Sequence, residues 1–330
     1  MVAYGYLLPT RGVVFGIDSA TTLAAKVESD VVGLARRAET LGFESVWVGD
    51  SVLAKPRLEP LTTLSAVATA TDAVTLGTAV YLPALRHPVH VAHATATLDQ
   101  LAGGRLALGV GVGVRPTERD EQEQLGVDFA RRGAILDETL DLLDALWSGE
   151  SVTYDGEQYA LDDAGIGFAP VSKPPVYLAS AAFDPAKGGF PRRIRDRLAA
   201  HGDGWLPIAM SPESYAAGLS AARDALADAG RNPDALDAAF YQDVVVADTE
   251  DEALAEARAF LESYYPADEQ MYLDDDAFDD DAIRRRGAFG PPEVVADHLA
   301  RYREAGVERF VTRFPASNQR EQLRRFADLV

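Results

Sequence analysis

The chain predicts an α/β fold, a (β/α)8 barrel of the TIM type with two insertions. Three observations predict it. Eight short β-prone runs alternate with amphipathic helical runs over 330 residues, as parallel-barrel units do. Residues 74–113 spell one complete strand–loop–helix–turn–strand unit, the building block of a parallel sheet. No GxGxxG motif is followed by an acid about 20 residues on, the mark of a dinucleotide-binding open sheet; GVGVG at 109–113 has the wrong spacing. A doubly wound open sheet is the structural alternative. The whole of 1–330 is expected to form one barrel domain.

The expected strands are Tyr4–Leu8, Ser45–Val48, Val74–Val80, Leu106–Val110, Val176–Ala179, Gly204–Ile208, Ala239–Val246 and Arg309–Arg313. Each is short, rich in β-branched or aromatic residues and bounded by turn formers. Helical periodicity falls at 23–41, 61–71, 88–101, 131–147, 190–200, 213–229, 250–264 and 292–305, and 318–329 closes the chain. Two segments exceed a bare barrel. Ser151–Ala164 has Asp-Gly between β-formers and reads as a hairpin, with Tyr154 and Tyr159 packed on the barrel. The acidic stretch 265–290 reads either as a solvated loop or as a lid over the barrel mouth.

Composition narrows the function. Hydrophobic residues make up 47% of the chain, enough for a large core. No apolar run reaches the roughly 18 residues of a membrane span, and MVAYGYLLPTRG reads as a first strand rather than a leader, so the expected location is the cytoplasm. Cysteine is absent, which excludes disulfides, thiolate metal sites and a cysteine nucleophile. Net charge is −21, from 52 acidic against 31 basic residues. Such a surface repels nucleic acid and anionic membranes. Lysine occurs only at Lys26, Lys55, Lys173 and Lys187. Abundant acid with few lysines fits a halophilic protein, in which salt screens the self-repulsion; the alternative is a merely acidic product of a GC-rich genome.

In a barrel, chemistry sits at the carboxyl ends of the strands. Asp50 and Ser51 end the second strand and are the candidate catalytic pair; the bland alternative for Asp50 is a cap on the next segment. Thr78, Ala79 and Val80 end the third strand, and such small residues let a flat ring approach the backbone. Gly111, Val112 and Gly113 follow the fourth strand, and Ala179, Ser180 and Ala181 the fifth. Both are turns whose N–H groups suit phosphate oxygens, or simply tight loops. Arg86, before the helix-starting Pro88, is a candidate clamp for an anionic substrate or one half of a salt bridge. Arg313 is a second anion candidate. Trp205 either lines the pocket or fills the barrel interior, the latter preferred. His90 and His93 share a helix face without a third ligand, so no metal site is expected.

The order LGTAV…RHPV…ATLDQL…GGR…LGVGVG, with AETLGFESVWVGDS (38–51), DGWLP (203–207) and GPPEVVADHLARYREAGVERFV (290–311), resembles the bacterial-luciferase-like flavin and deazaflavin oxidoreductases. The resemblance implies a barrel that binds a flavin-type ring at its carboxyl face. It implies a non-prolyl cis peptide at Ala79–Val80 under the ring, with Asp50 beside it and the cofactor tail near Ala179–Ala181. The family often has histidine after the acid; here that place is Ser51, a poor proton shuttle. The expected cofactor is coenzyme F420, with hydride transfer to or from a small organic substrate; a salt-adapted host favours it over FMN. The alternatives are an FMN-dependent monooxygenase using reduced flavin and O2, and a non-catalytic flavin-binding protein. A metal-dependent hydrolase lacks the clustered ligands it needs. Helices 61–71 and 88–101 are apolar and nearly uncharged, and the family pairs through this side, so a homodimer is expected.

Overall fold

The structure is a computed structural model and describes residues 2–14, 20–265 and 278–330. Its strands are β1 (Ala3–Leu7), β2 (Ser45–Val48), β3 (Thr75–Thr78), β4 (Leu106–Val110), β5 (Val152–Asp155), β6 (Ala160–Ala164), β7 (Val176–Leu178), β8 (Gly204–Trp205), β9 (Asp237–Val246), β10 (Gly287–Gly290) and β11 (Arg309–Arg313). Parallel pairing runs β1-β2-β3-β4-β7-β8-β9-β11 and returns to β1, which closes an eight-stranded barrel. Closure leaves none of these eight strands as a free edge.

The helices are α1 (Ala20–Val27), α2 (Gly33–Thr40), α3 (Pro60–Ala68), α4 (Pro88–Ala102), α5 (Pro116–Gln124), α6 (Arg132–Leu146), α7 (Arg192–His201), α8 (Pro212–Asp228), α9 (Glu250–Tyr264), α10 (Asp280–Arg284), α11 (Pro292–Glu304) and α12 (Gln319–Ala327). Proline at the first position starts α3, α4, α5, α8 and α11, where its missing N–H costs nothing. The single helix expected over 23–41 is two, joined by a π turn at Glu28–Val32.

Large and small residues interlock inside the barrel. The Trp47 indole on β2 lies over Gly5 on β1 and Gly77 on β3, and a Cβ on either glycine would collide with it. Its Nε1 donates to Ser45 Oγ at 2.8 Å. Ala107, Tyr177, Leu206, Ala239 and Val311 complete this inner cluster. Trp205 does not join it. Alternation along β8 turns Gly204 inward against Tyr177 and Trp205 outward, where it stacks on Tyr215 of α8 and donates to the Ser180 carbonyl at 2.9 Å. The run expected at 204–208 keeps two ladder residues because Pro207 has no N–H to give; Ile208 rejoins through one bridge to Tyr241.

The insertion at 151–164 is the expected antiparallel hairpin, β5 with β6. Glu138 of α6 caps its turn, accepting from the N–H groups of Glu157, Gln158 and Tyr159. Residues 266–277 of the expected acidic loop, and with them the lid reading, lie outside the described residues. The remainder is not loop. It forms α10 and β10, and β10 adds itself to β9.

That addition shapes the mouth. Strand β9 spans ten residues, about 33 Å at strand rise. Its start pairs with β8, its middle with β11 and its last four residues with β10. Gly287 is required where β10 joins, since a Cβ there would strike the backbone of Asp243.

Candidate active site

At the carboxyl ends of the barrel strands lies a cavity of about 640 Å³, a size typical for a cofactor or a drug-sized ligand. One half of its rim follows neighbouring strands β3, β4 and β7 and is built of small residues. Ala79 and Val80 follow β3; Gly111, Val112 and Gly113 follow β4; Ala179, Ser180 and Ala181 follow β7. The Ala79–Val80 peptide is cis. The Val80 carbonyl accepts from Asp50 N–H at 3.1 Å, and Gly111 leaves room for the Val80 side chain. Gly113 takes a positive φ of 65°, a conformation glycine adopts without penalty. The N–H groups of Val112, Gly113, Ser180 and Ala181 donate to no described residue. Four neighbouring donors in turns of small residues suit an anionic group.

The other half follows β9, β11, β1 and β2 and carries charge and aromatic rings. Tyr241 and Asp243 come from β9, Arg313 from β11, Arg57 from the segment after β2, Tyr264 and Tyr265 from the end of α9, and Arg286 from the turn before β10. Arg313 grips Asp243 with two bonds of 2.6 Å. Arg11, in the segment after β1, lies over the Tyr264 ring at 4.3 Å. Arg115, before α5, reaches Tyr265, with its guanidinium 5.3 Å from that ring. Burial alone would raise the Tyr265 phenol, but Arg313, Arg115 and Arg286 outweigh it and bring it down to about 7.

The residues expected to act do not all face this cavity. Asp50 does, but it is held: Arg86 donates twice, at 2.6 and 3.0 Å, and Leu82 N–H once at 3.0 Å. Burial pushes its carboxyl up from the usual range, and the guanidinium opposes that push. Arg86 is therefore half of a buried pair behind the rim, stacked over Tyr81 at 4.6 Å, and not a wall of the cavity. Ser51 is also outside. Its hydroxyl donates to Glu121 Oε1 at 3.0 Å and accepts from Lys55 N–H at 2.8 Å. Thr78 is fully buried and donates to the Gly109 carbonyl at 2.8 Å, bracing β3 against β4 from below the rim. Ala79, Val80 and the 111–113 and 179–181 turns all line the cavity.

Sequence reading missed Arg57, Arg115, Arg286, Tyr241, Tyr264 and Tyr265. Arginine soon after a strand's carboxyl end was a usable signal for Arg57 and Arg115. Nothing marked Tyr264 and Tyr265, which close an ordinary amphipathic helix. Lys55 also lines the cavity but pairs with Glu118. Burial would raise Glu118; Lys55 and the N–H groups of Val114 and Arg115 hold it below the usual range instead.

A family profile described as luciferase-like monooxygenase matches residues 10–309. The chain belongs to this family. It is 29% identical over 313 residues to an F420-dependent glucose-6-phosphate dehydrogenase of Microbacterium testaceum, covering 88% of this chain and 89% of that one. An enzyme of the same name from Kribbella flavida is 30% identical over 318 residues, covering 91% and 92%. Among solved structures, a monooxygenase from Streptomyces bottropensis aligns over 99% of this chain and 98% of its own at TM-score 0.81 and 22% identity. An F420-dependent secondary alcohol dehydrogenase, solved with an F420–acetone adduct, aligns over 100% and 98% at TM-score 0.78 and 21% identity. At such identities these structures bear on the fold, and theirs is the barrel described here.

Proposed function

We propose that this chain is an oxidoreductase that uses coenzyme F420 to transfer hydride to or from a small organic substrate. The observation that carries it is the small-residue half of the cavity, four N–H donors in two turns beside a flat backbone surface, in a family member whose near full-length relatives are F420-dependent. When bound, the deazaflavin supplies two-electron hydride chemistry, and the protein orients it and excludes water.

The chain's own residues divide the work. Val112, Gly113, Ser180 and Ala181 offer N–H groups to the phosphate of the cofactor tail. Ala79 and Val80 back the ring. Asp50, its carboxylate inaccessible and fixed by Arg86, braces the wall behind the ring and donates its backbone N–H to the Val80 carbonyl. Ser51 turns its hydroxyl to Glu121 and takes no part in proton transfer. In the finer reading, residues 1–330 act as one domain of a salt-adapted cytoplasmic protein that pairs as a homodimer through α3 and α4. The outer face of α4 is partly covered within the chain, by Phe168 against His93 and by Gln100 bonded to the Ala169 carbonyl. Leu101, at 54% exposure, and Ala66 remain open for a partner.

The absorption spectrum of protein purified from its native host tests the cofactor: a deazaflavin band supports the reading, and a flavin band or no chromophore refutes it. Ala181→Glu should abolish F420 uptake and leave the melting temperature within a few degrees; unchanged affinity would move the tail elsewhere.

A further inference from the structure

Hydride transfer at a carbon that bears oxygen leaves that oxygen with a proton to lose or gain, and a group in the cavity must exchange it. The usual candidates are engaged. Among the described residues no histidine lines the cavity. Asp50 is held by Arg86, Asp243 by two bonds from Arg313, and Glu118 by Lys55 and the N–H groups of Val114 and Arg115. Ser51 donates to Glu121 outside the cavity. The phenols remain. Burial raises that of Tyr241, so it keeps its proton at neutral pH.

Tyr265 is set apart by its surroundings. It is 4% exposed and borders the cavity from the end of α9. Cations face it from four segments. Arg11 after β1 has its guanidinium 5.9 Å from the ring. Arg115 before α5 lies 5.3 Å from the ring and donates to the phenol oxygen. Arg286 before β10 and Arg313 on β11 complete the set. The titrating neighbours are phenols, Tyr264 edge-on at 5.2 Å and Tyr241 on β9. Burial opposes a phenolate here, but Arg313, Arg115 and Arg286 outweigh it, so at about 7 both protonation states are populated near neutral pH.

We propose that Tyr265 is a catalytic residue, the group that exchanges a proton with the substrate oxygen, and that the substrate pair is an alcohol and its carbonyl counterpart. The inference rests on the proposed F420-dependent function. In the oxidative direction the substrate C–H bond breaks, and its electron pair leaves as hydride for the bound deazaflavin. The O–H bond breaks, its proton passes to the Tyr265 phenolate oxygen, and its electron pair becomes the second bond of C=O. The alcohol loses two electrons and the deazaflavin gains them. In reduction the phenol returns the proton to the carbonyl oxygen. Arg115 holds the phenol oxygen in place in both states.

The F420-loaded protein is assayed in molar KCl with secondary alcohols from 2-butanol to cyclohexanol, and with the matching ketones and reduced F420, between about pH 5 and 10. Alcohol oxidation should rise along a limb centred near neutral pH, and ketone reduction should fall along the same limb. Tyr265→Phe should lower kcat about a hundredfold and erase both limbs, with KM and F420 affinity unchanged. Tyr264→Phe should keep the limbs. Arg115→Gln should move them toward alkaline pH, together with the tyrosinate absorbance change of the cofactor-free protein, which needs no turnover. Melting establishes that each variant is folded, and Arg115→Gln carries the test if Tyr265→Phe is not. Rate and limbs retained in Tyr265→Phe, limbs lost in Tyr264→Phe instead, or a tyrosinate transition unmoved in Arg115→Gln would each overturn the proposal. So would a loaded protein that turns over neither series. Loss of F420 affinity in folded Tyr265→Phe also overturns it, because the phenol then serves the cofactor. A parent protein that takes up no F420 sinks the cofactor assignment itself, and the catalytic role with it.

Discussion

Removing the Arg86 guanidinium should strand a buried charge. The Asp50 carboxylate is fully inaccessible and Arg86 19% exposed at the side chain. In Arg86→Met the methionine keeps much of the volume over Tyr81, but Asp50 retains a single donor, Leu82 N–H. Breaking such a pair from one side costs about 3 kcal/mol, chiefly the penalty of the charge left behind. Unfolding entropy scales at about 2.1 cal/mol/K per residue, so over 330 residues the loss corresponds to about 4 °C in melting temperature. The pH dependence follows from the sign. Burial already raises Asp50 in the folded protein, and without Arg86 it rises further above the ~3.9 of an unfolded chain. The folded state then holds a proton that the unfolded state has released, so stability falls as pH rises between the two values. The deficit of Arg86→Met relative to the parent should be largest near pH 7 and shrink toward pH 5. Adding Asp50→Asn to Arg86→Met should restore part of it, because the stranded charge is gone. Thermal melts of the four proteins at several pH values, in constant high salt, read all of this. A deficit that does not change with pH, or a double variant less stable than Arg86→Met by the full cost of Asp50→Asn alone, would refute a buried charge pair as the link.

Three further outcomes are expected. Tyr265, at about 7, should give a tyrosinate difference spectrum near neutral pH that disappears in Tyr265→Phe; its folded value lies below the ~10 of an unfolded chain, so its contribution to stability grows as pH rises from 7 to 10, and a first phenol titrating only above pH 9 would contradict the arginine cluster. Gly287→Ala should lower stability by about 3 kcal/mol, since β9 and β10 must part to admit the methyl group, and hydrogen exchange at 243–246 should rise; protection equal to the parent's would show that β10 does not dock as described. Because the charge of −21 repels itself over long range in dilute buffer, the melting temperature should climb strongly between low salt and molar KCl, and a flat response would leave only an acidic composition.

The barrel was legible because its evidence is local and repeated. Period-2 apolar runs and period-3.6 helices recur with turn residues between them, so β2, β4 and β11 fall where the sequence puts them, and the Asp-Gly pair marks the β5–β6 turn. Short loops between parallel strands then leave few topologies. The small-residue turns at 79–80, 111–113 and 179–181 were legible for the same reason: an absent side chain is visible in the sequence, and a strand's carboxyl end says where it is absent. Partnership was not legible. Whether Asp50 meets a ligand or an arginine depends on Arg86, thirty-six residues away in the chain and 2.6 Å away in space. Whether Ser51 faces the cavity depends on Glu121, on a helix, α5, that the sequence did not announce. The division of the mouth into a side of small-residue turns and a side rich in arginine exists only once β11 closes on β1 and β9 reaches up to β10, bringing residues 57, 115, 265, 286 and 313 around one space. Sequence patterns fix which way each segment buries its apolar face; charge pairing is decided by distances of a few ångströms between segments, and only the closed barrel sets those.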